Sequence, residues 1–194
     1  MMNKERFGGW VLISVLVFGM GCHRPEYSHN YVSEDSSDFE EYRENASNRP
    51  SPPARTSQVI NSAKVYITYS QPGVKDREIW GDLVKYDKIW RTGANEATVF
   101  STDQIITIEG QTINPGNYAL YTIPSENEWE VILNKKYDVW GAYDYDESLD
   151  VLRFKVYPTK REELQERMNF NIAPNGLVTF SWEYLQFQFQ LTAQ

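Results

Sequence analysis

Chemistry that depends on histidine or cysteine has little to work with in this chain. Its 194 residues include one cysteine, Cys22, and two histidines, His23 and His29, all near the start. A lone cysteine makes no internal disulfide. Ser-His-Asp and Cys-His catalysis both need a histidine base oriented by the fold, and residues 58–194 contain none. Zinc, haem and iron-sulfur centres draw on the same missing side chains. No Walker loop or Gly-x-Gly-x-x-Gly element is present, so the familiar nucleotide chemistries are not indicated. The formal net charge is -8 and no Lys/Arg cluster interrupts the acidic balance, which argues against nucleic acid as a partner. There is no internal repeat. No cofactor is expected from this composition.

What the chain does have begins with Lys4 and Arg6, an apolar run from Trp10 to Met20, and then Gly21-Cys22. The run is shorter than the roughly twenty residues that cross a hydrocarbon core. A basic start, short apolar segment and small residue before a cleavage point read as a secretory signal over residues 1–21. Cys22 then stands where bacterial lipoproteins are acylated, and several acyl chains give a stable membrane anchor. The alternative is a cleaved signal that releases a soluble protein with one spare thiol. Residues 22–57 are acidic and end in Pro50, Pro52 and Pro53, with Val32 and Phe39 as the only large aliphatic or Phe side chains. They read as a disordered, lipid-anchored linker, because so little burial does not offset ordering entropy. The expected location is therefore extracytoplasmic, at a bacterial envelope and its outer membrane, facing the periplasm or the surface.

Residues 58–194 read as one all-β domain, an antiparallel β-sandwich or jelly-roll-like fold. Val65, Ile67 and Tyr69 alternate with Lys64, Tyr66 and Thr68, as one buried and one exposed face require. Leu185, Phe187, Phe189 and Leu191 alternate likewise and belong to a core strand. Further β-rich runs lie at 98–101, 105–108, 118–123, 129–133, 151–157, 168–172 and 177–183, separated by turn signals such as Pro174-Asn175-Gly176. Many short strands at this spacing favour a sandwich or barrel. Two segments have helical character: Lys160–Arg167, rich in helix formers but with one large apolar residue, and a single turn within Ile79–Tyr86.

The chemistry left to the domain is that of carboxylates, amides, guanidinium groups and aromatics. Trp90-Arg91-Thr92-Gly93-Ala94-Asn95-Glu96 places all four together without a hydrophobic rhythm. One reading is structural, with Arg91 paired to Glu96 or a loop carbonyl and Asn95 serving neighbouring backbone. The other makes Arg91 a fork for a carboxylate, phosphate or sugar hydroxyl, with Asn95 and Glu96 completing a polar pocket. In an extended segment Arg91 and Asn95 share one face, and Trp90 and Glu96 the other, with Gly93 breaking the register. Trp80, Trp90 and Trp140 adjoin Gly-containing loops, where a ring can stack on a ligand or plug the sandwich end. Lys75 and Arg77 add positive charge, and Tyr121 a hydroxyl. Asp144, Asp146, Glu147 and Asp150 form an acidic loop that offers oxygens to Ca2+ or is simply solvated.

Gln71-Pro72-Gly73-Val74-Lys75-Asp76-Arg77-Glu78-Ile79-Trp80-Gly81, the Trp90–Thr98 stretch and Trp140-Gly141-Ala142-Tyr143 resemble the Bacteroidota family known as domain of unknown function 2911. The resemblance covers roughly residues 50 to 190. Their residue types make Lys75, Arg77, Trp90, Arg91, Asn95, Glu96, Tyr121 and Trp140 the candidate ligand site; the resemblance favours its Lys75-x-Arg77 element and implies no substrate, cofactor or mechanism. The expected function is a non-catalytic lipoprotein domain that binds a small polar ligand, a glycan or a cell-envelope protein. The competing expectation is a glycan hydrolase using Glu96 and Asp146, whose carboxyl groups would then lie about 5 to 10 Å apart in a cleft.

Overall fold

Strand alternation in this sequence resolves into two antiparallel sheets packed face to face, as the computed structural model of the chain shows for residues 29–193. The signal segment, Cys22 and the beginning of the expected linker lie outside the described residues. The larger sheet has six strands: β1 (Pro53–Ile60), β2 (Ala63–Ser70), β3 (Val99–Thr102), β6 (Gly116–Ile123), β7 (Trp129–Asn134) and β8 (Asp150–Val156), in that order across the sheet. The smaller runs β5 (Gln111–Ile113), β4 (Ile106–Ile108), β10 (Leu177–Ala193), β9 (Thr159–Ile172). The expected all-β sandwich is the observed architecture.

Period-two alternation decides what the core contains. Val65, Ile67 and Tyr69 of β2 face inward, as do Leu120 of β6, Val131 and Leu133 of β7, and Phe154 of β8. From the smaller sheet they meet Phe170 and Ile172 of β9, and Phe180, Phe187, Phe189 and Leu191 of β10. Trp129 and Trp182 are fully buried among them, as their positions in strand patterns require. The β9–β10 hairpin closes at Pro174-Asn175-Gly176, where Ala173 and Leu177 are bonded and Gly176 takes φ 83°. A Cβ at Gly176 would stand 2.2 Å from the Leu191 carbonyl oxygen, so only glycine fits there.

Both helical expectations are corrected. Lys160–Arg167 is part of β9, with Gln165 registered against Glu183 and Lys160 against Leu185. Its helix formers are overridden because the long β10 supplies a pairing partner, and because a single exposed leucine, Leu164, gives a helix no face to bury. The charges suit an edge strand, where they discourage pairing with other chains. Ile79–Tyr86 is a wide turn rather than a helical one, closed by bonds from Leu83 and Val84 to the Glu78 and Ile79 carbonyls.

The expected disordered linker is also corrected. Residues 29–50 form an ordered arm with a short 3-10 turn (His29–Tyr31) and a helix, α1 (Ser36–Asn45). The domain boundary placed at residue 58 falls inside β1. Asp35 caps α1 by accepting from the Ser37 amide at 2.8 Å. Tyr31, Tyr42 and Ala46 bury against Val99 on the outer face of the six-stranded sheet. Arg55 holds the arm from below, its guanidinium 4.0 Å from the centre of the Phe39 ring. Tyrosine accounts for the difference: each buried aromatic contributes an area the aliphatic count omits. Beside the arm, Ala119, Tyr121, Ile132 and Val139 form a second outer cluster beneath residues 135–149. With both faces covered, β6 and β7 are buried along nearly their whole length. Among the described residues no helix is long and apolar enough to cross a membrane.

Candidate functional site

The connection from β2 to β3, residues 71–98, is long for one without strands or helices, and such connections are commonly functional. It is pinned to the rest of the domain at three points, Gly73 to Arg167, Trp90 to Thr122 and Glu96 to Trp140, and Trp80 bridges to Val84 within it. Near its start Lys75 and Asp76 both take positive φ, 49° and 55°, while the Arg77 amide bonds the Val74 carbonyl at 3.1 Å. That is the geometry of a tight primed turn. Further on, Thr92 is fully buried with φ 50°, a strained conformation for a β-branched residue. Its carbonyl accepts from the Thr98 hydroxyl at 2.7 Å, and its own hydroxyl lies 3.1 Å from that of Thr122. A Cβ on Gly93 would come within 2.9 Å of the Thr98 hydroxyl, so the chain closes here only around glycine. The extended register expected for 90–96 does not form, because left-handed turns at Thr92 and Asn95 (φ 58°) redirect the backbone.

Arg77, Trp90 and Arg91 of the expected site come together around a pocket of about 200 Å³, whose walls also include Ser51, Gly93 and Trp182. Trp90 is not an exposed stacking platform. Its ring is buried, stacked on Trp182 with centroids 5.9 Å apart, and its Nε1 donates to the Gly93 carbonyl at 3.2 Å. Arg77 turns its guanidinium back on its own loop, donating to the Gly73 carbonyl at 2.6 Å and the Val74 carbonyl at 3.1 Å. Arg91 differs. It makes no hydrogen bond or ion pair through its side chain among the described residues, and its Nε is buried without an acceptor. Burial pushes its pKa down, partly opposed by Tyr143 and Glu96 nearby. Trp182 Nε1 is likewise buried without an acceptor. Two donor-bearing side chains of one small pocket therefore lack partners, a rare state for buried polar groups.

Glu96 does not pair with Arg91. Its Oε1 accepts from the Tyr42 hydroxyl at 2.5 Å and from Arg49 Nη1 at 2.8 Å, both on the arm or its end, while Oε2 is buried and unpartnered. Burial, then the bond to Glu96, drives the Tyr42 hydroxyl far above its ordinary pKa, so it stays a donor. Asn95 serves distant backbone: its Nδ2 donates to the Ser51 carbonyl at 3.0 Å.

The other expected site residues lie elsewhere. Lys75 is exposed and contributes only its amide, which donates to Glu166. Tyr121 is buried in the second outer cluster with its ring edge-on to Tyr145, centroids 5.1 Å apart, so it is not presented to a ligand. Trp140 is half-buried and pairs with Glu96 through backbone. Asp146 is exposed and caps the 3-10 turn Glu147–Leu149, accepting from the Ser148 hydroxyl at 2.7 Å and amide at 3.0 Å. The Ser148 hydroxyl and amide hold its carboxyl below the usual range, which makes it a poor general acid. The acidic loop is spent internally: Asp150 and Glu147 both pair with Arg153. Among the described residues no group of three or more His, Cys, Asp or Glu side chains is placed to hold a metal ion. Ser51 and Trp182 were missed as pocket residues, because one lay in the supposed linker and the other reads simply as core.

The site thus defines a class: an antiparallel sandwich whose long β2–β3 connection frames a small arginine-lined pocket. The chain belongs to the protein family of unknown function DUF2911, whose model matches residues 51–191. No curated protein and no solved structure matches the chain significantly. The matched span holds Arg77, Trp90, Arg91 and Glu96 but not the arm.

Proposed function

We propose that this domain is the binding module of an envelope lipoprotein, acylated at Cys22, and that it holds a small anionic ligand at Arg91 without transforming it. The observation that carries this reading is the unpaired Arg91 guanidinium at a pocket of about 200 Å³. Desolvating a guanidinium without hydrogen-bond acceptors is costly, and a carboxylate or phosphate offered by a ligand supplies the acceptors together with a charge that Glu96, hydrogen-bonded to the arm, does not bring into contact. The volume lies below the roughly 300–1,000 Å³ of sites for drug-sized molecules, so it suits one anionic group on a short apolar stem better than an oligosaccharide. Trp90, Trp182 and Val84 provide the apolar wall.

Binding is favoured over hydrolysis because the two carboxylates a glycosidase would need are otherwise employed: Glu96 by Tyr42 and Arg49, Asp146 by its capping bonds. The reading is tested by titrating the protein with acetate, butyrate and inorganic phosphate and following tryptophan emission, which the two indoles make sensitive to occupancy. A saturable change that weakens by about tenfold or more in Arg91→Met and persists in Lys75→Ala is the expected result. A response identical in wild type and Arg91→Met rejects the site. For the anchor, labelled palmitate should be incorporated by wild type and not by Cys22→Ser.

A further inference from the structure

The arm that precedes the family domain carries the only hydrogen-bonding partners of the Glu96 carboxylate among the described residues. Glu96 itself is positioned without the arm. Its backbone pairs with Trp140, the Ala97 amide bonds the Val139 carbonyl at 3.0 Å, and the Gly141 amide bonds the Asn95 carbonyl at 3.1 Å. The acceptor therefore belongs to the span matched at 51–191, while the donors Tyr42 and Arg49 lie before it. A carboxylate has about four acceptor positions, yet both donors crowd onto Oε1 and Oε2 is left buried and unpartnered. Arg91, near enough for each to feel the other's charge, does not take the second oxygen.

We infer that Glu96 is a recognition site for a guanidinium or ammonium group, and that Arg49, backed by Tyr42, is its tethered occupant. Arg49 Nη1 lies 2.8 Å from both Glu96 Oε1 and the Tyr42 hydroxyl, which puts a cation and a neutral donor on one oxygen. The Arg49 side chain is 37% exposed while that of Glu96 is 12% exposed, so the occupant sits at the surface and the acceptor below it. The arm is held by four buried side chains, Tyr31, Phe39, Tyr42 and Ala46; only Phe39 and Tyr42 of these belong to α1, so the helix is the part that opens first. Pro50, Pro52 and Pro53 limit the conformations available at its base. A competing cation in trans would release the arm, and with it the Ser51 carbonyl that accepts from Asn95. This site shares no ligating side chain with the anion pocket, and its test does not require anion binding.

The test uses the full chain with Arg49→Ala, titrated with methylguanidine and with methylammonium while thermal unfolding is followed. The Arg49→Ala protein should gain about 3 °C in Tm at roughly ten times the half-saturating methylguanidine concentration. Methylammonium should act more weakly, because it lacks the planar fork. Arg49→Ala combined with Glu96→Gln should not respond. Equal responses in the single and double variants would overturn the inference. If Arg49→Ala lacks a folded baseline, Arg49→Gln replaces it. In wild type, methylguanidine at the concentrations that saturate the variant should speed amide hydrogen exchange across Asp38–Asn45. Unchanged exchange there would show that free cations do not compete with Arg49, which also overturns it.

Discussion

Arg91 and Arg153 flank the same six-stranded sheet, and their surroundings are opposite. Arg153 donates to Glu130 at 2.9 Å, to Asp150 at 2.7 and 2.8 Å, and to the Tyr145 hydroxyl at 2.6 Å, with Glu147 at 3.2 Å. Its acceptors come from β7, β8 and residues 135–149, so one cation ties a long connection to the sheet. Arg91 sits in a connection of similar irregularity and has no such partner. The first arrangement is what a structural arginine looks like: desolvation compensated within the chain. The second keeps the desolvation and leaves Nε without an acceptor, with only Tyr143, Glu96 and Tyr31 nearby to offset it. A fold tolerates that where something from outside completes the site.

The widest separation between the two should come from Asp150→Ala. The Asp150 carboxylate accepts from Asn134 at 2.7 Å, Tyr145 at 2.7 Å and Arg153 at 2.8 Å, and its side chain is 9% exposed. Removing it takes an acceptor from three donors, one charged, and should cost about 3 kcal/mol, or about 10 °C in Tm. Urea unfolding measures it, and a loss under ~1 kcal/mol would put Arg153 in the same category as Arg91. Arg91→Met reverses the expectation. Replacing an unpaired, desolvated guanidinium by an apolar chain of similar length should change stability by less than ~1 kcal/mol or raise it, while anion binding is lost. A drop near that of Asp150→Ala would mean that Arg91 is structural after all.

Gly141→Ala probes where the two regions touch. Gly141 has φ 69°, and a Cβ there would meet the Tyr143 ring at 3.0 Å and Arg91 Nη1 at 3.9 Å. The left-handed backbone alone should cost about 1 kcal/mol. Tyr143, which is 86% exposed, can swing aside, so anion affinity should shift while the Arg153 bonds persist. Stability lost without any change in affinity would separate Tyr143 from the pocket.

How much of this was legible in the residues follows from the range of the forces involved. Strands β2 and β10 are written in local alternation, β6, β7 and β8 in short β-rich runs, and the β9–β10 turn in three residues. Trp129 and Trp182 read as core from their place in strands, and they are. The β9 assignment failed because pairing with a distant strand outweighed the helix propensity of Lys160–Arg167. The arm failed because its burial rests on tyrosines and on a cation over an aromatic ring, neither visible to a count of aliphatic residues. At the site, residue types in 90–96 marked a polar-aromatic cluster, of which Trp90 and Arg91 line the pocket while Glu96 turns to the arm. Which groups pair was not readable there, since Arg49 is 47 positions from Glu96 and two left-handed turns override the simple register.

The smallest expected effect tests whether the arm and the 135–149 connection are capped alike. Asp35 accepts from the Ser37 amide and hydroxyl, at 2.8 and 2.6 Å, and Asp146 from the Ser148 amide and hydroxyl, at 3.0 and 2.7 Å. In each, the serine hydroxyl and then its amide hold the carboxyl below the usual range. A depressed folded pKa means that the cap contributes fully above the unfolded value of about 3.9 and is lost as pH falls through the folded value. Both caps should therefore be intact at neutral pH and weaken only in acid. The Ser37 and Ser148 amide resonances should titrate with midpoints below about 3.9, and these transitions should vanish in Asp35→Asn and Asp146→Asn, because asparagine caps without ionising. A midpoint for Ser37 at or above the ordinary aspartate value would mean that the arm's helix lacks the cap that the 135–149 connection has, and the two ends of the comparison would then differ in their turns as well as in their arginines.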